Sequence, residues 1–172
     1  MDASLQKMFE EQMNKEWYSS YLYLALSARL DELGFKGMAS WMHVQAQEEM
    51  AHAMHIYDHL IDRCDHIGFL PLEGPDPTLA TPMDAFQAAL EHEKYITDSI
   101  NQLATAAMKL SDHASYIFLQ WYVNEQVEEE ATDNEIIAKL RIIGDNASGL
   151  YALDQELGAR VFVDPFAGAA QA

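Results

Sequence analysis

The sequence is short of cysteine, of basic residues and of long apolar runs. Its one cysteine, Cys64, leaves no disulfide framework and no Cys-x-x-Cys metal knuckle. A reducing compartment is the default for such a chain. Only 10 lysines and arginines stand against 28 acids, for a net charge of −18. That balance argues against nucleic acid and anionic membranes as partners, and it suits the handling of cations. No apolar run approaches the length of a membrane span. The start, Met1-Asp2-Ala3-Ser4, is polar and leads into an amphipathic pattern, so it does not read as a signal peptide. The expectation is a soluble, cytoplasmic protein. With 172 residues, 49% of them hydrophobic, the chain fits one domain with a sizeable core.

What is present is helical periodicity. Apolar residues from about Ser4 to Leu33 recur as Leu5, Phe9, Met13, Glu16, Ser20, Tyr23, Ser27 and Leu30, with Asp2 or Ser4 as the cap. Gly34 and Gly37 bracket a short turn before a second helix over about Lys36 to His66. Each of these helices would be about 45 Å long, and the short turn makes them antiparallel neighbours. Residues 67–82 hold four of the five prolines and cannot be helical. So long a structureless stretch reads as a crossover running the length of a bundle. Thr81-Pro82-Met83-Asp84 opens a third helix that ends near Leu110, on a stripe of Phe86, Ala89, Glu93, Ile96, Ile100 and Leu103. Ser111-Asp112 caps a fourth, which Gly144 stops, on a stripe of Leu119, Tyr122, Gln126, Glu129, Asp133, Ile136 and Leu140. A short fifth helix covers about Ala147 to Leu157, and the residues after it read as a partly ordered tail.

Each long stripe is interrupted near mid-helix by polar groups. The stretch Gln47-Glu48-Glu49-Met50-Ala51-His52 is the clearest case. Glu49 and His52 are one turn apart on a face that also carries Met38, Met42, Gln45 and Ile56. A buried carboxylate is costly unless something compensates it, and Glu with His is a ligand pair suited to iron, manganese or zinc. A lone Glu-x-x-His is too short to decide the matter. The other stripes supply Glu16, Glu93, and Gln126 with Glu129. In an antiparallel bundle with one crossover these groups can meet at one level. Four carboxylates that close repel strongly, and two divalent cations cancel their charge. A hydrated polar layer with some acids protonated is the metal-free alternative.

The segments Glu16-Trp17-Tyr18-Ser19-Ser20-Tyr21-Leu22-Tyr23, Ala46 to His52, His92-Glu93 and Leu119 to Glu130 resemble a bacterial non-haem ferritin over nearly the whole chain. The resemblance implies an all-α fold: a ferritin-like antiparallel four-helix bundle with one long crossover and a short fifth helix. It places the ferritin-like domain at 1–158 and a C-terminal tail at 159–172. It implies a hollow 24-subunit homo-oligomer that oxidises Fe(II) with O2 or peroxide and stores a ferric mineral. By position, Glu16, Glu49 and His52 would hold a first iron. Glu49 would bridge to a second, held by Glu93 and Glu129, with Gln126 close by and Tyr23 beside the site. Carboxylates suit this role because they bind hard cations and bridge two ions. Glu48, Glu125 and Glu128, with Glu129 shared, match a third iron position. A solvated acidic face is the plainer reading of those three.

Met50 stands where haem-binding bacterioferritins carry a haem ligand. Those relatives have a second Glu-x-x-His on the fourth helix, where this chain has Gln126-Val127-Glu128-Glu129, so haem is not expected. His55 and His59 could pair on a metal, but scattered surface histidines are the commoner case. The acid-lined three-fold channel of animal ferritins would fall on Tyr116 and Leu119, so that iron route is not implied, and Asp112 and His113 are the nearest substitutes. A rubrerythrin-like diiron peroxidase without storage is an alternative, but such proteins usually carry a rubredoxin-like cysteine site, which Cys64 alone cannot build. A DNA-protecting miniferritin lacks the fifth helix and places its metal between subunits.

Overall fold

The structure, a computed structural model, describes residues 1–167. Its helices are α1 (Ala3–Glu32), α2 (Lys36–Arg63), α3 (Pro82–Lys109), α4 (His113–Ile143) and α5 (Ala147–Leu157), and the described residues contain no strand. No described helix is long and apolar enough to cross a membrane.

Local chemistry sets the helix starts. The Asp2 carboxylate accepts from the Ser4 amide at 2.8 Å and caps α1. At α3 the Thr81 hydroxyl accepts from the Asp84 amide while the Asp84 carboxylate accepts from the Thr81 amide, with Pro82 at the first helical position. Asp112 caps α4 through the Ser115 amide at 3.1 Å, and Asn146 caps α5 through the Gly149 amide at 2.9 Å. Gly144, at φ 55° and ψ −134°, takes a positive-φ conformation that glycine adopts without strain, and α4 ends there.

Helix α2 stops at Arg63, three residues earlier than the periodicity predicts, because Cys64 is already extended. The backbone beyond it is satisfied by α1 side chains instead. Gln6 Nε2 donates to the His66 carbonyl at 2.7 Å, and the Gly68 amide donates to the Glu10 carboxylate at 2.8 Å. Asn14 then donates to the Leu70 and Pro71 carbonyls at 3.3 Å, and Arg29 meets Asp76 at 3.5 Å. The crossover therefore climbs alongside α1 from one end of the bundle to the other, and α3 starts at the far end.

Two apolar clusters fill the interior. One gathers Tyr23, Leu26, Leu30, Met42, Phe86, Ile136 and Leu140; the other gathers Leu5, Phe9, Ile56, Ile100, Leu119 and Tyr122. The buried polar groups Glu16, Glu49, His52, Glu93, Gln126 and Glu129 lie on all four long helices. Helix α5 docks across the α1–α2 turn with Leu153 and Leu157 buried, and the Asp154 carboxylate accepts from the Met38 amide at 2.9 Å. A Cβ at Gly37 would fall 1.7 Å from the Asp154 carbonyl oxygen, so this close approach requires glycine. After Gly158 the chain turns back over α2 and α4.

Candidate metal centre

The inward stripe of α1 delivers Glu16, and that of α2 delivers Glu49 and His52. One ligand atom from each of these three lies within 4.8 Å of the others. The three side chains are buried, each no more than 2% exposed. His52 Nδ1 is 3.4 Å from Glu49 Oε2, and its buried Nε2 has no hydrogen-bond partner among the described residues. Trp121 packs edge-on against the imidazole at a centroid distance of 5.2 Å, which fixes the ring.

From α3 and α4 come Glu93, Gln126 and Glu129. Tyr23 OH donates to Glu93 Oε1, and Gln126 Nε2 donates to Glu93 Oε2 at 3.0 Å. Gln45 Nε2 donates to Glu49 Oε1 at 3.0 Å and to Glu129 Oε1 at 2.9 Å, which ties the α2 and α4 carboxylates together. Gln12 Nε2 donates to Glu16 Oε1 at 2.7 Å. Each carboxylate thus has a neutral amide or hydroxyl donor. Among the described residues none of the four is ion-paired to a lysine or arginine.

The electrostatics follow from that lack of positive charge. Burial, then the neighbouring Glu49, pushes the Glu16 carboxyl up to about 8. Burial raises Glu49 well above the usual carboxylate range, with Glu93 and Glu129 adding to the shift. Glu93 and Glu129 are raised by burial as well. A cluster of carboxyls that resists ionising in isolation is poised to exchange protons for metal cations.

The remaining acids form a second group at the edge of the first. Glu48, Glu125, Glu128 and Glu129 line a cavity of about 170 Å³ with Thr132, Arg160, Val163 and Pro165. Arg160 Nη2 donates to Glu48 Oε2, and its Nη1 donates to Gln45 Oε1 at 2.8 Å.

The Ferritin-like domain family matches residues 6–143, most of the chain. The chain belongs to this family. A probable bacterial non-heme ferritin-like protein of Haemophilus influenzae is 36% identical over 158 residues, 92% of this chain and 96% of that protein. A bacterial non-heme ferritin of Escherichia coli is 42% identical over 147 residues, 86% of this chain and 89% of that one. Among solved structures, an Archaeoglobus fulgidus ferritin engineered into a closed form superposes with a TM-score of 0.92 at 42% identity, covering 95% of this chain and 99% of that one. An open pore ferritin from the same archaeon superposes with a TM-score of 0.91 at 41% identity, covering 94% and 98%.

With the ferritin fold in hand, the weaker signals find places. Met50 lies in an exposed groove with Leu24, Met54 and Phe162. His55 and His59 are half-buried rather than scattered over the surface. They join an aromatic ladder, His59 stacked on Phe118 at 4.0 Å and His55 on Phe166 at 3.8 Å. Leu119 is fully buried, and Asp112 is taken up by its cap and by Arg63 at 2.9 Å.

Four further residues stand at the two carboxylate groups with no role predicted for them from the sequence. Gln12 and Gln45 each precede a site glutamate by four residues, a repeated Gln-x-x-x-Glu that was available as a signal. Asp133 was on the α4 stripe, but no role attached to it. Both its oxygens are buried without a partner among the described residues, and burial pushes it up to about 8. Arg160 gave no signal, because nothing in the local sequence of a tail says which surface it will meet.

Proposed function

We propose that the protein is an iron-storage ferroxidase, which oxidises Fe(II) at an intrasubunit diiron site and deposits Fe(III) mineral inside a 24-subunit cage. The observation that carries this reading is the convergence of Glu16, Glu49 and His52 within 4.8 Å, buried, with a histidine nitrogen left unpartnered. Iron is the substrate here. Glu16, Glu49 and His52 hold one ion, Glu49 reaches across to a second, and Glu93 and Glu129 hold that second ion with Gln126 beside it.

Two Fe(II) ions replace the protons that the isolated carboxyls retain, and those protons leave to solvent. Each Fe(II) gives up one electron. The pair of electrons, with two protons, reduces O2 to hydrogen peroxide, or hydrogen peroxide to two waters. Two adjacent ions deliver both electrons together and so avoid a one-electron product. The chain's part is to hold the ions close, to exclude bulk water with the two apolar clusters, and to fix ligand orientation through the Gln12, Gln45, Tyr23 and Trp121 contacts. Glu48, Glu125 and Glu128, with Glu129 shared, accept a third ion in transit between the pair and the cavity, or as the source of a further electron. The setting that fits this activity is the cytoplasm.

Measuring particle mass together with bound iron tests the reading. A particle of about 24 times the 19.4 kDa chain, loaded far beyond three irons per subunit after aerobic Fe(II) addition, is expected. A monomer, or a cage that stops at two or three irons per subunit, would overturn it.

A further inference from the structure

The acidic pocket already holds a positive charge, supplied by the chain itself. Arg160 follows α5 and Gly158, and its guanidinium is half-buried between α2 and the pocket. It donates to the Glu48 carboxylate and to the Gln45 amide oxygen, and it lies 4.4 Å from the centroid of the Trp41 ring. A guanidinium with one carboxylate, one amide and one aromatic face is held on three sides. The chain beyond it forms a strap. Val163 and Pro165 wall the pocket, and Phe166 stacks on His55 and lies 4.5 Å from Trp121.

A divalent ion among Glu48, Glu125 and Glu128 would sit within a few ångströms of that guanidinium. Like charges at such a distance repel strongly in a half-buried setting. The ion also competes with Arg160 for the negative charge of the Glu48 carboxylate. Metal and guanidinium therefore disfavour one another. Beyond α5 the strap is non-helical and its residues 161–164 are exposed, so its release gives up chiefly the Arg160 and Phe166 contacts. Gln45 extends the effect inward. With its oxygen accepting from Arg160, its nitrogen faces Glu49 and Glu129.

We propose that Arg160 is the resident counter-cation of the acidic pocket, that a divalent metal enters by displacing its guanidinium, and that displacement lifts the 160–166 strap from α2 and α4. The proposal rests on the third-ion reading given above. It makes the third position an ion-exchange site, and it makes Arg160 a determinant of how tightly that site holds iron.

The test uses the full-length assembled protein and Zn(II), a redox-inert probe, titrated by calorimetry with tryptophan emission followed in parallel. Once two equivalents have filled the pair, a third should bind the wild type weakly and shift the emission as Arg160 leaves Trp41 and Phe166 leaves Trp121. Arg160→Gln should bind that third equivalent at least about tenfold more tightly, the scale of a lost charge-assisted contact. Its metal-free emission should already resemble the loaded wild type. Arg141→Gln removes the same charge from an exposed site elsewhere on α4 and should leave the third affinity unchanged. Equal third-equivalent affinity in Arg160→Gln and wild type overturns the exchange while sparing the third position. So does an equal gain in Arg141→Gln. No third equivalent in any of these proteins removes the third position and the proposal together.

Discussion

Two carboxylate clusters share Glu129 yet balance their charge by opposite means. In the central cluster, Glu16, Glu49, Glu93 and Glu129 are buried among neutral donors, and the isolated chain holds protons there. At the edge cluster, Glu48 is half-buried and meets a guanidinium. On the proposed reading the first cluster loses protons to gain metal, and the second loses an arginine. The difference follows from depth. A lysine or arginine brought to the centre would need its own desolvation offset, whereas at the rim the stem can pack on Trp41 while the charge stays partly wet.

The sharpest way to break the comparison is at Glu49, which the proposed diiron site uses twice. Glu49→Ala should slow Fe(II) oxidation by more than about 100-fold, beyond the range for losing a residue that only supports a ligand. Glu93→Ala should cost less. Stopped-flow absorbance at two Fe(II) per subunit reads both, and a wild-type rate in the Glu49 variant would remove the site. Gln12→Leu leaves every ligand in place but frees Glu16 Oε1, and a loss of about tenfold is expected from that support alone. A loss as deep as that of Glu49→Ala would mean that Gln12 itself binds iron.

A smaller effect concerns pH. Glu16 titrates at about 8 in the folded chain against an ordinary value of 4.5, and Asp133 at about 8 against 3.8. The folded state therefore binds more protons than the unfolded state between those values. Their contribution to stability is whole below the ordinary carboxylate range and is lost as pH rises through about 8. Metal-free protein should show a Tm that falls from pH 6 to pH 9, and Zn(II) should flatten the fall. Calorimetric scans at fixed ionic strength check this; a Tm that rises over that window would contradict the burial of neutral carboxyls. The smallest effect should come from the edge. Replacing Glu48, Glu125 and Glu128 together by Ala keeps the shared Glu129 and should leave the initial oxidation within about twofold, while changing the iron-to-oxidant stoichiometry. A collapse of the initial phase would show that the two clusters act as one.

Much of this was legible in the sequence because helical period and burial speak together. Every member of the predicted α3 and α4 stripes is buried, as is every member of the α2 stripe from Met38 to Ile56. The crossover was legible from its prolines, and the caps from Asp2, Thr81 and Asp112. The end of α2 was not, since Gln6 and Glu10 of another helix decide where its last turn gives way. His55 and His59 misread as surface groups for a similar reason. Their partners Phe118 and Phe166 are distant in sequence, and Phe166 lies in a segment with no period.

The pairing of α2 with α4 has a consequence for how this chain can change length. Gln45 meets Glu129, the His52 carbonyl meets Tyr122, and His59 meets Ser115, so each seven-residue step along α2 is matched by seven residues back along α4. That is two turns against two turns, kept in phase from Gln45 to His59 along α2. Inserting a single residue between Ser115 and Tyr122 would rotate one side of α4 by about 100° relative to the other and carry Gln126 and Glu129 off the inward face. Within α2 and α4 a deletion therefore keeps these pairs in register only when a matching one occurs opposite it.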